Sequence, residues 1–365
     1  MPFINDMLAA QQKAPGQGDT VPELVAGSAG ADTKSAPLPG HRQSRFRFDV
    51  EAITARLQAR IIGQPQALQA IRDILYLVSA DMGLPHRPLV TVMMVGSTGV
   101  GKTETVRLLA EAIHGDINHF CRIDMNTLAQ SHYSAALSGA PPGYVGSKEG
   151  HTLLDSELIA GSFSRPGIVL FDEIEKASDE VLRSLLNVMD NGMLQLTAGQ
   201  KKIDFRNTII FMTSNVGVQA LHRHQQACGN GFRRWFMPAS VKHRRGEEII
   251  NEALEDRFDP EFLNRLDRAI HYQSIEHDAV GQLLELELQR LNERLAKKQA
   301  SLKLDSAARN HLTGHYDNRY GARDVARHVR RELEPQLARA LVQHPECGRF
   351  VALMFDENLR VIPEP

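Results

Sequence analysis

An α/β fold, with a parallel sheet between helices and then a smaller α+β domain, is predicted from three features of this chain. Apolar runs beginning at Val90, Gly167 and Thr208 have the length and β-branched content of buried strands. The first breaks at Gly96, Gly99 and Gly101 and passes directly into a segment, Thr103 to Ala112, whose apolar residues recur at helical spacing without proline. Beyond about residue 272 the pattern changes to long amphipathic helices separated by short strands.

At 365 residues there is enough chain for two domains with real cores, and 42% hydrophobic with 24% charged residues is ordinary for a soluble globular protein. Cys121, Cys228 and Cys347 are too far apart for a metal knuckle or a C-x-x-C pair, and their odd number argues against a disulfide framework. A reducing compartment, the cytoplasm, is expected. The opening MPFINDMLAA has neither a basic start nor a long apolar core, so no signal peptide or membrane helix is expected. A formal net charge of −2 argues against a protein-wide surface for nucleic acid.

Residues 1–44 read as a flexible tail, Pro/Gly/Ala/Ser-rich with few large apolar side chains from 11 to about 43. Phe3, Ile4, Met7 and Leu8, ahead of that composition, are either a tethered docking peptide or a frayed terminus. A first globular region spans 45–271 and a second, smaller one 272–365. The first opens with a helix, a break at Ile61-Ile62-Gly63-Gln64-Pro65 and a second helix. Ile61 and Ile62 beside a glycine could pack on a purine ring, or simply fill a helix connection.

Gly96 with Gly101-Lys102-Thr103 matches G-x-x-x-x-G-K-[ST] between a strand and a helix. In that arrangement the backbone of Thr98, Gly99, Val100 and Gly101 rings phosphates, Lys102 reaches the outer two and the Thr103 hydroxyl sits on Mg²⁺. A glycine-rich turn can also be only a tight connection. A strand from His119 to Asp124 follows, and then a Pro/Gly-rich segment holds Gly143, Tyr144, Val145 and Gly146, which puts an aromatic on a loop.

The run from Gly167 ends in Asp172-Glu173, two carboxylates at the strand end where open parallel sheets bind ligands. Asp172 suits Mg²⁺ held through water, and Glu173 suits a base for an attacking water. Glu175 and Glu180 read better as acids opening a helix. The run from Thr208 ends in Asn215, placed to hold that water from the other side or to cap the strand. A basic insertion at 222–248, with the only tryptophan, Trp235, has no strong period and is expected outside the sheet. Arg265 follows a short helix without an obvious partner in its own segment, and Arg323 opens a helix in the second region.

These residues together resemble the AAA+ ATPases of the Clp unfoldase family, in particular the second ATPase ring of the double-ring Clp chaperones. IIGQ, GSTGVGKT, SGAPPGYVG, VLFDEIEKA, IDFRNT, TSN, PEFLNRLD and GAR occur in the family's order across about residues 45–362. The resemblance implies a P-loop AAA+ large domain at 45–271 and a small α+β lid at 272–365. It assigns Asn215 and Arg323 as the two sensors and makes Arg265 the arginine finger given to the next subunit's nucleotide. Tyr144 in GYVG becomes the pore-loop aromatic that grips a polypeptide.

The resemblance further implies ATP, Mg²⁺, a homo-hexamer and protein clients, with the tail or the 222–248 insertion selecting clients or an adaptor. Only one ATPase module is present, and the nearest match to the protease-docking tripeptide is Asn230-Gly231-Phe232, so docking on a ClpP-type protease is not expected. The function expected is ATP-driven unfolding or remodelling of protein through a central pore. The alternative is an ATP-switched assembly or docking protein that threads nothing.

Overall fold

The computed structural model describes residues 44–128, 153–195, 202–218, 220–221, 239–356 and 358–364. Helix α1 (Val50–Arg60) starts where the Asp49 carboxylate accepts the backbone N–H groups of Glu51 and Ala52 at 2.9 and 3.1 Å. Helix α2 (Pro65–Ser79) starts on a proline, whose missing N–H would have no intrahelical partner in a first turn. Between them Ile61 and Ile62 leave the helical path.

The main sheet is wholly parallel, in the order β2–β3–β6–β1–β7. Its strands are β1 (Val90–Val95), β2 (Cys121–Asp124), β3 (Gly167–Asp172), β6 (Thr208–Ser214) and β7 (Arg268–His271). A small antiparallel hairpin, β4 (Met193–Gln195) with β5 (Lys202–Asp204), stands beside it. The three central strands are buried at nearly every position because both faces are covered. Alternate side chains serve opposite sides: Val92, Met94, Leu170 and Phe211 face one core, and Met93, Val95, Phe171 and Met212 the other. At the β2 edge the pattern becomes Cys121 in, Arg122 out, Ile123 in, Asp124 out.

Helix α3 (Lys102–His114) grows directly from the loop after β1. Helices α4 (Ser156–Ala160) and α5 (Asp179–Asn191) flank β3, and α6 (Ala239–Arg257) with α7 (Pro260–Asn264) leads to β7. The second region holds α8 (His277–Ala296), α9 (Ser306–Gly314), α10 (Ala322–His328) and α11 (Glu334–Gln343). Its sheet, in the order β10–β9–β8, is made by β8 (Ser301–Leu304), β9 (Arg349–Phe355) and β10 (Asn358–Pro363). One apolar cluster runs from Phe46 under the main sheet to Leu359, so this region packs on the sheet's core.

The fold class agrees with expectation. The 222–248 insertion, which shows no strong period in sequence, is helical from Ala239, and α6 buries Ile250 and Leu254 beyond the basic run. The helix that Arg323 opens is followed by a π-helical turn, Val329–Leu333, where Pro335 has no N–H to return to the Arg331 carbonyl. Arg265 pairs with Glu261 of its own segment at 3.9 Å and with Asp190 at 3.0 Å, long-range contact supplying the stronger partner. Among the described residues no helix is long and apolar enough to cross a membrane.

At the end of α3 the His114 Nε2–H donates to the Pro166 carbonyl at 3.0 Å, and the ring lies 4.3 Å from that of His119. Burial, and then His119, push its pKa down to about 4. The unfolded chain takes this proton near pH ~6.5. Between these two values the unfolded state holds more protons, so this contribution to stability is complete above ~6.5 and is lost as pH falls towards 4. Thermal melts of His114→Gln should lose that part of the acid limb, most visibly at pH ~5–6.5, where few carboxylates titrate.

Candidate active site

The carboxyl ends of β1, β3 and β6 meet because the strands are neighbours in register, Val95 opposite Ser214 and Phe171 opposite Met212. Around them lies a cleft of about 750 Å³ walled by the sheet on one side and α8 and α10 on the other. Ile61, Ile62 and the loop from Thr98 to Thr103 line it, as do Asp172, Glu173, Asn215 and Arg323. Eleven of these twelve residues stand on elements of the 45–271 region, and Arg323 reaches the cleft from the second region. Arg265 is not among the lining residues. Gly143, Tyr144, Val145 and Gly146 lie outside the described residues, as does Asn230-Gly231-Phe232.

Two backbone approaches shape the loop. Tyr272, at the start of the connection to α8, passes so close to Gly96 that a Cβ there would lie 2.5 Å from the Tyr272 carbonyl oxygen. At the loop's apex the Ala322 N–H donates to the Gly99 carbonyl at 3.0 Å. A Cβ on Gly99 would meet the Tyr320 carbonyl oxygen at 2.2 Å, and one on Gly321 the Gly99 carbonyl oxygen at 2.7 Å. Gly321 also has φ 56° and ψ −141°, open essentially to glycine alone. The second region is thus bonded to the loop through main chain.

Lys102 is 7% exposed. Its ammonium donates to the carbonyls of Gly96 and Ser97 at 2.5 and 2.9 Å and to Asn215 Oδ1 at 2.8 Å. Burial brings its pKa down to about 8 against the pull of Glu175, Asp172 and Glu173. Asp172 is held at both oxygens, accepting from Thr213 Oγ1 at 2.5 Å and from Arg122 Nη2 at 2.6 Å. The Glu173 N–H donates to the same Thr213 oxygen at 2.9 Å, and its carboxylate accepts from Asn126 Nδ2 at 2.7 Å. Glu173 adopts φ 58°, a left-handed conformation that a glutamate keeps only where its surroundings impose it. That turn carries its carboxylate off the strand direction and into the cleft.

The Ile61–Ile62 end of the cleft is tied to the connection. Gln64, 2% exposed, donates through Nε2 to the Gln273 carbonyl at 2.8 Å and accepts the Gln273 N–H at 2.9 Å. Ile61 and Ile62 are thereby fixed against the segment that leads to α8. None of the backbone N–H groups from Thr98 to Gly101 donates to a described backbone carbonyl, and α3 begins at Lys102, so a row of donors leads directly into a helix N-terminus. This donor set with a buried ammonium fits a polyphosphate. The Thr103 hydroxyl and Asp172 carboxylate are hard oxygen donors that fit Mg²⁺.

Arg122, Asn126, Thr213 and Gln64 belong to this network and were given no site role from sequence, and Glu175 was read only as an acid opening a helix. The outward alternation of Arg122 and Asp124 on β2 was the available signal for the first. Glu175 and Glu180, expected to open a helix, lie in the first turns of the short 3₁₀ helix Ile174–Lys176 and of α5 respectively.

Residues 87–269 match the AAA domain (Cdc48 subfamily), and residues 275–349 the C-terminal, D2-small domain of ClpB protein. An "ATP-dependent protease ATP-binding subunit-like protein AmiB" of Pseudomonas aeruginosa is 44% identical over 99% of this chain and 100% of its own length. An "ATP-dependent protease ATP-binding subunit-like protein" of Rhodococcus erythropolis is 38% identical over 95% of this chain and 94% of its own. The chaperone protein ClpB of Bdellovibrio bacteriovorus is 37% identical over 78% of this chain, which spans 31% of that protein.

The Gly99–Gly321 contact predicts the effect of one methyl group. Gly321→Ala should lower stability by about 1–3 kcal/mol, from its backbone conformation alone. It should also weaken binding of a fluorescent ATP analogue, because α10 can no longer seat on the loop. Urea unfolding and a fluorescence titration of the same preparation measure the two effects.

Proposed function

The chain belongs to the ClpB-like AAA+ ATPases, and from that premise we propose that it is a ring-forming motor whose ATP hydrolysis threads or remodels protein. The observation that carries this reading is the convergence of the phosphate loop, Asp172, Glu173, Asn215 and Arg323 on one cleft shared by the two regions. We place the boundary between the large ATPase domain and the lid at residues 271 and 272.

ATP in this reading rests its base on Ile61 and Ile62 and its phosphates on the loop from Thr98 to Thr103. Lys102 leaves the Gly96 and Ser97 carbonyls and Asn215 for the phosphates, stronger acceptors for a buried ammonium. Mg²⁺, held by Thr103 and Asp172, would neutralise charge on the phosphate oxygens. Glu173 takes the proton of the attacking water. Asn215, released by Lys102, orients that water. Arg323 brings a positive charge from the lid.

Arg265 pairs instead with Asp190 and Glu261, with a side chain 40% exposed, which suits a group offered to a neighbour's nucleotide. Such a group contributes roughly 10³–10⁵ in rate. A ring, of six subunits in our reading, follows from that division of the site. Tyr144 would move with the nucleotide and push on an extended polypeptide, its flat ring gripping any sequence. The tail and the 222–248 insertion are the places for client or adaptor recognition, and no docking to a ClpP-type protease is proposed.

Glu173→Gln should bind a fluorescent ATP analogue but lose turnover by at least ~10²-fold, the scale of a lost general base. Tyr144→Ala should hydrolyse ATP yet fail to unfold a tagged fluorescent client. Retained unfolding would instead favour the assembly reading. Arg265→Ala should lose ATPase activity as a uniform ring, and mixing it with Glu173→Gln subunits should restore part of it. Absence of any recovery in mixed rings would remove the assignment of Arg265 to the neighbouring site.

A further inference from the structure

Glu175 is a carboxylate of the cleft's second layer to which the reading above gives no task. It sits in the 3₁₀ turn Ile174–Lys176 between β3 and α5. Its main chain is fixed from outside. Arg257 donates from Nε and Nη2 to the Glu175 carbonyl at 3.0 and 2.7 Å, and from Nη2 to the Ala177 carbonyl at 3.1 Å. Its side chain turns inward instead. Oε1 accepts the backbone N–H of Asn215 at 3.2 Å, while Oε2 is buried with no hydrogen-bond partner among the described residues.

A carboxylate oxygen buried without a donor is costly, and the Lys102 ammonium offsets its charge. The other oxygen makes the contact that reaches the cleft. The sheet ladder ends at Ser214, and Asn215 is the first residue beyond it. Its N–H is therefore oriented by Glu175, while its side-chain Oδ1 accepts from Lys102. Arg257, Glu175 and Asn215 form a line of contacts from α6 to the cleft, with a rigid element at its outer end.

We propose that Glu175 is a positioning residue for ATP hydrolysis: it fixes the turn that carries Asn215, so that the Asn215 amide keeps its aim when Lys102 moves to the phosphates. The inference rests on the reading of Asn215 as the group that orients water. A displacement of about 1 Å in such a group can cost ~10²-fold in rate, whereas the binding of nucleotide, carried by the loop, should hardly change.

The test is a double-mutant cycle on the full chain, with kcat for ATP and the Kd of a fluorescent ATP analogue measured for each form. Asn215→Ala examines the underlying reading and should lower kcat at least ~10-fold. Glu175→Ala should lower kcat by roughly 10- to 100-fold while Kd changes less than about threefold. The double variant should turn over no more slowly than Asn215→Ala, since a residue acting only through Asn215 has nothing left to position. Glu175→Gln, which keeps the acceptor oxygen, should recover most of the loss; Glu175→Asp, charged but a methylene short, should not.

Additive losses in the double variant, a loss confined to Kd, or wild-type turnover in Glu175→Asp would each overturn the inference. Wild-type turnover in Asn215→Ala would overturn the reading of Asn215 and this inference with it, and is told apart by that single variant. Should thermal melts show that Glu175→Ala does not fold, the Gln and Asp variants carry the same comparison.

Discussion

The ammonium of Lys102 lies almost wholly out of water, and the arrangement around it follows from that constraint. A buried cation is tolerable only where acceptors and negative charge come to it. The loop supplies two carbonyls, and Asn215, the first residue beyond β6, supplies its amide oxygen. The compensating charge arrives from β3 and the turn beyond it, as Asp172, Glu173 and Glu175. This requires β1, β3 and β6 to end side by side, which the order β2–β3–β6–β1–β7 provides. The carboxylates in turn need positive charge or donors of their own, and Arg122, Thr213 and Asn126 supply them. The site is therefore one electrostatic unit, in which moving Lys102 alters the surroundings of every other member.

A second unit is mechanical. Gln64 joins the turn carrying Ile61 and Ile62 to the connection at Gln273, and the Ala322 N–H joins the Gly99 carbonyl to the second region. Both ends of the cleft are thus fastened to the chain that leaves the main sheet. Glu104, in the first turn of α3, adds a third tie through its ion pair with Arg290 of α8 at 2.7 Å. Partly exposed pairs of this kind contribute little to stability, so its interest is geometric.

Much of this was legible in sequence where a pattern is local. The buried strands announce themselves as uninterrupted apolar runs, and the phosphate loop as glycines between strand and helix. The motifs Asp172-Glu173 and Asn215 were visible because strand ends are visible. What was hidden depends on partners distant along the chain. The Asp190 contact of Arg265, the inward turn of Glu175 and the amide pair of Gln64 each join residues separated by 40 positions or more. The β4–β5 hairpin was unread because three-residue strands carry too little alternation to detect. Helix α6 was masked by the basic run in the sequence at its start, which carries no apolar period.

Gly96 shows how far a motif can be from its usual explanation. It matches the first glycine of the phosphate-binding pattern, yet the atom that excludes a side chain there belongs to Tyr272, on the chain crossing behind the loop. The glycine answers to a neighbour in the fold before it answers to any phosphate. The eight residues from Gly96 to Thr103 are consequently no portable cassette. Grafted onto another sheet without the Tyr272 crossing, they would carry a glycine whose reason had been left behind, together with an apex missing the backbone donor it is bonded to here.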